Sequence, residues 1–476
     1  MRILNLALLA VLMAIAAMSA TGQPNVVLIL ADDLGWNDVG YHGGDIPTPG
    51  IDRIAGEGVE LDRFYACPVC SPTRAGLMTG RYPIRFGMQR AVCRPFLRVG
   101  VPPAEETLPE MLARAGYRNR GIAGKWHIGH AFRRFHPLNQ GFTSFVGHFN
   151  GNIDYYTHHR EGELDWHRGF EPNHDEGYST DLIADEAVRF IDKHSDRGPF
   201  FLYVPFNAPH TPLQVPERWL RPFASVENEN RRTYMAMVAA MDAAIVRILD
   251  ALERNGVDQD TLVWFASDNG GQALADNSPL RAGKGTVYEG GTRVAAAVRW
   301  PLGLDGGGRK VTSMVRYIDV WPTLKGLASL GDNSGPGEPV DGQDAWPVIS
   351  GEAAEGPSEF FSYFERYNEE QLALIDGDWK IVRRGPAILG PHPADAPPES
   401  LPERQREPTP VRIELFNLAT DPLERDDLSE EEPEKARMML NRLKEFRALR
   451  PEGGVPPMTA PPPQGWVAPR EWRMLD

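Results

Sequence analysis

The sequence predicts a large α/β domain with a mostly parallel sheet flanked by helices, followed by a smaller C-terminal α+β domain. Three observations point there. Residues 25–31, 200–204 and 261–266 are short, continuous apolar runs rich in β-branched and aromatic side chains, the pattern of strands buried on both faces. Helical segments alternate with such runs to about residue 330. A stretch rich in Gly, Pro and Asp at 332–356 then precedes strand-like runs at 379–382 and 413–417 and a helix over 433–449. With 476 residues the chain has room for both domains. The expected division is a leader at 1–22, a large domain at 23–345, a smaller one at 346–450 with a Pro-rich loop at 385–410, and an irregular Pro-rich tail at 451–476.

The leader is legible in its pattern. Arg2 precedes an apolar run from Ile3 to Met18 broken only by Asn5, and Ala20 and Gly22 are small enough for cleavage before Gln23. The run is short for a membrane span, so the expectation is a periplasmic or secreted protein without a stable membrane anchor. A net charge of -15 argues against a general binder of nucleic acid or anionic membrane. Cys67, Cys70 and Cys93 are the only cysteines, too few for a disulfide framework. A Cys67–Cys93 bridge would leave Cys70 for chemistry, a pairing the sequence leaves open.

In chain order, the first apolar run ends at Asp32-Asp33, two adjacent carboxylates where open α/β sheets gather ligands. They repel unless a cation neutralises them, which suggests a hard divalent metal, although Asp is also an ordinary turn residue. Cys70-Ser71-Pro72-Thr73-Arg74 reads as a thiol before a helix, with Ser71 capping, Pro72 in the first helical position and Gly80 as terminator. That helix start favours an anion, and Arg74 adds a fork of donors to it. A helix over 107–115 leads to Gly121–Gly129, where Lys125 and His127 alternate on one side of an extended stretch and could face one anionic centre.

Residues 127–174 hold eight of the twelve histidines, among Tyr155, Tyr156 and Trp166. They form either a sugar-binding insertion or a solvated excursion. After a helix over 180–194 and the second buried run, prolines hold His210 just past a strand end, a good place for a catalytic imidazole. Met235, Val238, Met241, Ile245, Ile248, Leu249 and Leu252 make the core stripe of a long helix. The third run ends at Ser267-Asp268-Asn269, so oxygen ligands recur at a second strand end and could complete one Ca²⁺ site with Asp32 and Asp33. Glycines flank Lys284 and would let it approach a ligand closely.

Taken together, the Cys70–Arg74 motif resembles the Cys-x-Pro-x-Arg signature of formylglycine-dependent type I sulfatases, within the alkaline-phosphatase-like superfamily. Thr73 stands where Ser is the commonest residue. Residues 31–42 resemble the arylsulfatase B branch in particular, and 124–129, 208–212 and 267–271 are similar to further family blocks in the expected order. Asn417-Leu418 and Asp421-Pro422-Leu423-Glu424 are similar to its second domain.

The resemblance spans roughly 25–449 and implies a sulfuric ester hydrolase acting on a sulfated carbohydrate. It implies that a formylglycine-generating maturation enzyme oxidises Cys70, and that the hydrated aldehyde offers a diol oxygen as nucleophile. One Ca²⁺ would be held by Asp32, Asp33, Asp268, Asn269 and the modified Cys70. Arg74 would support the nucleophile, Lys125 and Lys284 the sulfate oxygens, and His210 the leaving oxygen. His127 would take the proton of the second hydroxyl. Two alternatives remain: a phosphoesterase or phosphonate monoesterase of the same superfamily, and an inactive glycan-binding homologue. A carboxylate–Asn ligand set, unlike a His-rich zinc pair, disfavours the first. The full complement of site residues disfavours the second.

Overall fold

The computed structural model describes residues 22–331, 339–366, 369–389, 410–456, 458 and 461–476. Residues 1–21 of the leader expected at 1–22, part of the expected linker (332–338) and most of the Pro-rich loop (390–409) lie outside the described residues.

Hydrophobic runs at both-face-buried spacing assemble into one ten-stranded sheet. Its spatial order is Arg309–Arg316, Val59–Tyr65, Ala296–Arg299, Thr261–Ser267, Asn25–Ala31, Phe200–Pro205, Asn119–Lys125, Ser144–His148, His167–Arg168 and Glu171–Pro172. The central pairings, from 261–267 across to 144–148, are parallel. Antiparallel pairs flank them on both sides. All seven residues of Asn25–Ala31 are buried. Their alternation feeds two cores: Val26, Leu28 and Leu30 point to one face, Val27, Ile29 and Ala31 to the other.

Helices Cys70–Thr79, Leu108–Arg114 and Val320–Leu327 contribute to the first core. Pro49–Glu57, Ser179–His194 and Glu229–Arg254 contribute to the second. The predicted stripe from Met235 to Leu252 is buried along the longest of these. That helix also lends Asp242, whose carboxylate accepts the Gly50 and Ile51 N–H groups at 2.9 and 2.8 Å and so caps Pro49–Glu57.

The C-terminal part is a four-stranded antiparallel sheet, Glu359–Arg366, Glu369–Asp376, Trp379–Gly385 and Arg412–Asn417, with helix Pro433–Ala448 beside it. The first two strands are not evident from the sequence because, although both are buried over six consecutive residues, the buried polar side chains of Ser362, Glu365, Glu370 and Gln371 interrupt their apolar runs. Their apolar side chains join the first core of the large sheet. The tail is irregular, as expected, but it is anchored. Trp472 is fully buried and its indole N–H donates to the Arg160 carbonyl at 3.0 Å.

Buried charge also ties the two parts together. Lys380 lies between Glu289 and Glu424 at 2.9 and 2.8 Å, while Glu424 accepts the Glu289 N–H at 2.7 Å and Tyr65 donates to Glu289 at 2.9 Å. Replacing Lys380 by Met would leave two buried carboxylates facing each other, with Arg293, 3.8 Å from Glu289, as the remaining counter-charge. Lys380→Met is expected to destabilise the protein by about 3–5 kcal/mol in urea unfolding, and an unchanged midpoint would contradict this role.

Candidate active site

The register that sets Ala31 opposite Ser267 brings the two acidic strand ends side by side. Asp33 turns through a left-handed backbone conformation (φ 70), and its N–H donates to Asp268 Oδ1 at 3.3 Å. Asn269 Nδ2 donates to Asp33 Oδ1 at 2.8 Å. The neighbouring strand supplies the Ala208 carbonyl to the Asp32 N–H at 3.0 Å. All four side chains are fully buried.

The Cys70 helix begins two residues earlier than its sequence suggests. Val69 is the N-cap residue, Cys70 itself is the first helical residue, and Ser71 and Pro72 follow inside the first turn. Ser71 therefore does not cap. Its hydroxyl donates to the His127 carbonyl at 2.8 Å and accepts the Cys93 N–H at 2.9 Å. Gly80 ends the helix in the left-handed conformation its identity predicted. Thr73 Oγ1 accepts the Cys67 N–H at 2.9 Å, a bond that a Ser hydroxyl could make equally well. Arg74 is also placed differently from the open anion fork expected of it. Nε and Nη2 both donate to Asp268 Oδ2, at 3.1 and 2.8 Å, and Nη1 donates to the Lys125 carbonyl at 3.1 Å.

Around Cys70 the charges alternate. Its Sγ lies 3.5 Å from Asp32 Oδ1 and 3.6 Å from Lys284 Nζ. Lys125 closes on Asp32, and Lys284 donates to Asp33 Oδ2 at 2.7 Å. His210 Nε2 stands 3.6 Å from Asp33 Oδ2, and its Nδ1 is 2.7 Å from the Thr211 carbonyl. Because a carbonyl only accepts, Nδ1 carries the proton there, and neutral His210 turns a lone pair toward a carboxylate. Ligand atoms of Asp32, Asp33, Cys70 and His210 all lie within 4.8 Å of one another, a group that could hold a metal ion. His210 thus joins a cluster for which only carboxylates, Asn269 and Cys70 were expected. Asn269 Oδ1 is buried and finds no hydrogen-bond partner among the described residues. Such an atom needs a partner, and a cation supplies one.

The proton affinities follow from burial and these neighbours. Burial drives the Cys70 thiol far above its ordinary value, outweighing Lys125 and Lys284. Burial acts the same way on Asp33, but Lys284 and then His210 reverse it and hold that carboxyl well below the usual range. Asp268 is pushed up to about 6 by burial and by Asp32. Burial, aided by Lys125 and Arg74, keeps His127 far below its ordinary value, and burial with Lys284 takes His210 to about 3.

His127 does not continue the strand beside Lys125. The strand ends at Lys125, and His127 adopts a left-handed conformation (φ 59). Its Nε2 is 3.1 Å from the Cys93 carbonyl, whereas Nδ1 is buried without a partner among the described residues. Cys67 and Cys93 are both free, so the bridge considered from sequence is absent. Cys67 instead receives Gln89 Nε2 at 3.3 Å, and the Cys93 main chain is engaged by Ser71 and His127.

A family model described as Sulfatase matches residues 24–330. The chain belongs to the sulfatase family. This sulfatase is 34% identical to Arylsulfatase J of Mus musculus over 475 residues, covering 93% of this chain and 79% of the relative. It is 35% identical to N-acetylgalactosamine-6-sulfatase of Mus musculus over 361 residues, covering 70% and 67% respectively. Among solved structures it is similar to Ps i-CgsB in complex with k-i-k-neocarrahexaose, with a TM-score of 0.79, 30% identity, and 90% and 94% of the two chains covered. The phosphonate monoester hydrolase of Agrobacterium radiobacter shares the fold, with a TM-score of 0.61 at 20% identity, covering 90% and 95%. Arylsulfatase J and N-acetylgalactosamine-6-sulfatase are sulfuric ester hydrolases, and the chain is an enzyme of that class.

The sulfatase scaffold also uses residues whose roles the sequence does not announce. Tyr155 and Trp166, candidate sugar platforms, are buried instead. The Tyr155 hydroxyl lies 2.7 Å from each of the Asn207 and His210 carbonyls and so fixes the loop carrying His210. Trp166 stacks on His158. No helix among the described residues is long and apolar enough to cross a membrane. Tyr155→Phe would leave the two carbonyls short of a donor, at a cost of about 1–3 kcal/mol in denaturant unfolding. Unaltered stability would show that the hydroxyl contributes no net hold on the loop.

Proposed function

We propose that this sulfatase hydrolyses sulfate esters on a sulfated oligo- or polysaccharide, using a formylglycine made from Cys70 and one bound Ca²⁺. The observation that carries the reading is the state of Cys70. Its Sγ lies 3.5 Å from Asp32 Oδ1 and 3.6 Å from Lys284 Nζ, buried in the first turn of a helix at the centre of the charged cluster, where burial favours the neutral thiol. That combination suits a side chain converted before use. Relatives support the substrate class: the structure 30% identical to this chain was solved with k-i-k-neocarrahexaose, an oligosaccharide.

Formylglycine supplies a hydroxyl nucleophile, and Ca²⁺ a Lewis acid and counter-charge for the ester. Asp32, Asp33, Asn269 and the modified Cys70 would hold the ion. Asp268, held in place by Arg74, would complete that set. Such an oxygen-rich donor set is the one Ca²⁺ takes, and the partnerless Asn269 Oδ1 fits it.

Three buried carboxylates (Asp32, Asp33, Asp268) already face three cationic side chains (Arg74, Lys125, Lys284). A dication added to this balance requires negative charge to accompany it, which an anionic ester brings. Lys125 and Lys284 would then offset charge developing on the non-bridging oxygens. Arg74 holds Asp268 and the Lys125 main chain in place. His127, kept neutral, offers the lone pair of Nδ1 as base. His210 would serve the leaving oxygen from Nε2, a role that needs a proton there, which Asp33 favours and burial opposes.

On this reading residues 23–345 form the catalytic domain and 346–450 the smaller subdomain. A formylglycine-generating enzyme is a transient partner, and the mature protein works in the periplasm or outside the cell. Mature enzyme incubated with a panel of sulfated oligosaccharides is expected to release sulfate. Chelation should abolish release and Ca²⁺ should restore it, while Lys284→Ala should lower kcat by about 10²–10³-fold. Brisk phosphonate or phosphate ester cleavage without sulfate release would favour the phosphonate monoester hydrolase reading, whose fold this chain shares.

A further inference from the structure

Ser71, His127 and Cys93 close a hydrogen-bonded circuit beside the reactive position. Ser71 Oγ donates to the His127 carbonyl (2.8 Å) and accepts the Cys93 N–H (2.9 Å), and the Cys93 carbonyl faces His127 Nε2 (3.1 Å). All three residues are buried. Each bond has a defined direction except the last, and chemistry supplies it: a carbonyl oxygen has no proton to give, so Nε2–H donates. The imidazole proton is thereby placed on Nε2, and the lone pair of the neutral ring is left on Nδ1, the nitrogen without a partner among the described residues. Two further features hold the ring there. His127 keeps a left-handed backbone conformation, uncommon for a residue with a side chain, which the Ser71 bond to its carbonyl secures. Gly151 packs against the ring so closely that a β-carbon there would stand 2.6 Å from both Cε1 and Nε2.

We propose that Ser71 is a positioning residue that sets the tautomer of His127: by fixing the Cys93 main chain and the His127 backbone together, it keeps the proton on Nε2 and Nδ1 free to act as base. The proposal rests on His127 being the base of the sulfate-ester reaction, but its first test requires no turnover. In ¹⁵N-histidine-labelled full-length protein, the ring signals of His127 should show protonated Nε2 and unprotonated Nδ1. In Ser71→Ala the two tautomers should mix, and Ser71→Thr, which keeps the hydroxyl, should restore the single form. Gly151→Ala reaches the same ring from the other side without altering the Cys70–Arg74 motif, and it should mix the tautomers too. In converted enzyme, with rates normalised to formylglycine content, Ser71→Ala and Gly151→Ala should lower kcat by about 10–100-fold while KM changes little. A wild-type His127 protonated on Nδ1, unchanged signals in both variants, or mixed tautomers with undiminished kcat would each overturn the proposal. Correct tautomers with no sulfate release from any substrate would instead count against the proposed function alone.

Discussion

Three carboxylates buried together at the ends of two strands repel one another strongly, and most of what surrounds them answers that repulsion. Arg74 reaches Asp268 from the Cys70 helix, Lys125 reaches Asp32 from the end of a strand two places away in the sheet, and Lys284 reaches Asp33 from a loop. Each cation comes from a different segment, so the sheet register, the helix position and the loop path must all be right at once. Arg74 shows what this requires. Its donors are consumed by Asp268 and the Lys125 carbonyl, and its contribution is to hold two other site residues.

The C-terminal four-stranded sheet and the turn after it take part in the same arrangement. The loop that carries Lys284 also carries Arg281, which donates to the Glu424 carbonyl at 2.8 Å and to Glu414 at 2.9 Å, both on the C-terminal side. A few residues on, Glu289 enters the buried cluster with Lys380 and Glu424. The loop is therefore held between two layers of the protein, and the position of an ammonium group beside Cys70 depends on strands more than a hundred residues away.

How much of this is legible in the sequence depends on the physics of each part. The central strands announce themselves because burial on both faces leaves a continuous apolar run, and the acidic residues stand out because ordinary turn chemistry accounts for one such strand end more readily than for two. The strands Glu359–Arg366 and Glu369–Asp376 do not, since the buried polar residues Ser362, Glu365, Glu370 and Gln371 break up the apolar run that burial on both faces would otherwise leave. Roles that depend on main-chain partners are invisible in the same way. Ser71 reads as a cap from its neighbours in sequence, whereas its partners, His127 and Cys93, are 56 and 22 residues away. Tyr155 reads as an aromatic platform but works through its hydroxyl. Lys125 and His127 meet the site for a reason other than strand alternation, because the chain turns at His127.

The central claim is that Cys70, buried at the centre of the charged cluster, acts only after conversion. Peptide mass spectrometry across Cys70 of protein from its native source tests that claim most directly. The account predicts a peptide lighter by the fixed difference between cysteine and formylglycine. An unmodified Cys70 in enzyme that releases sulfate from its substrate would contradict it.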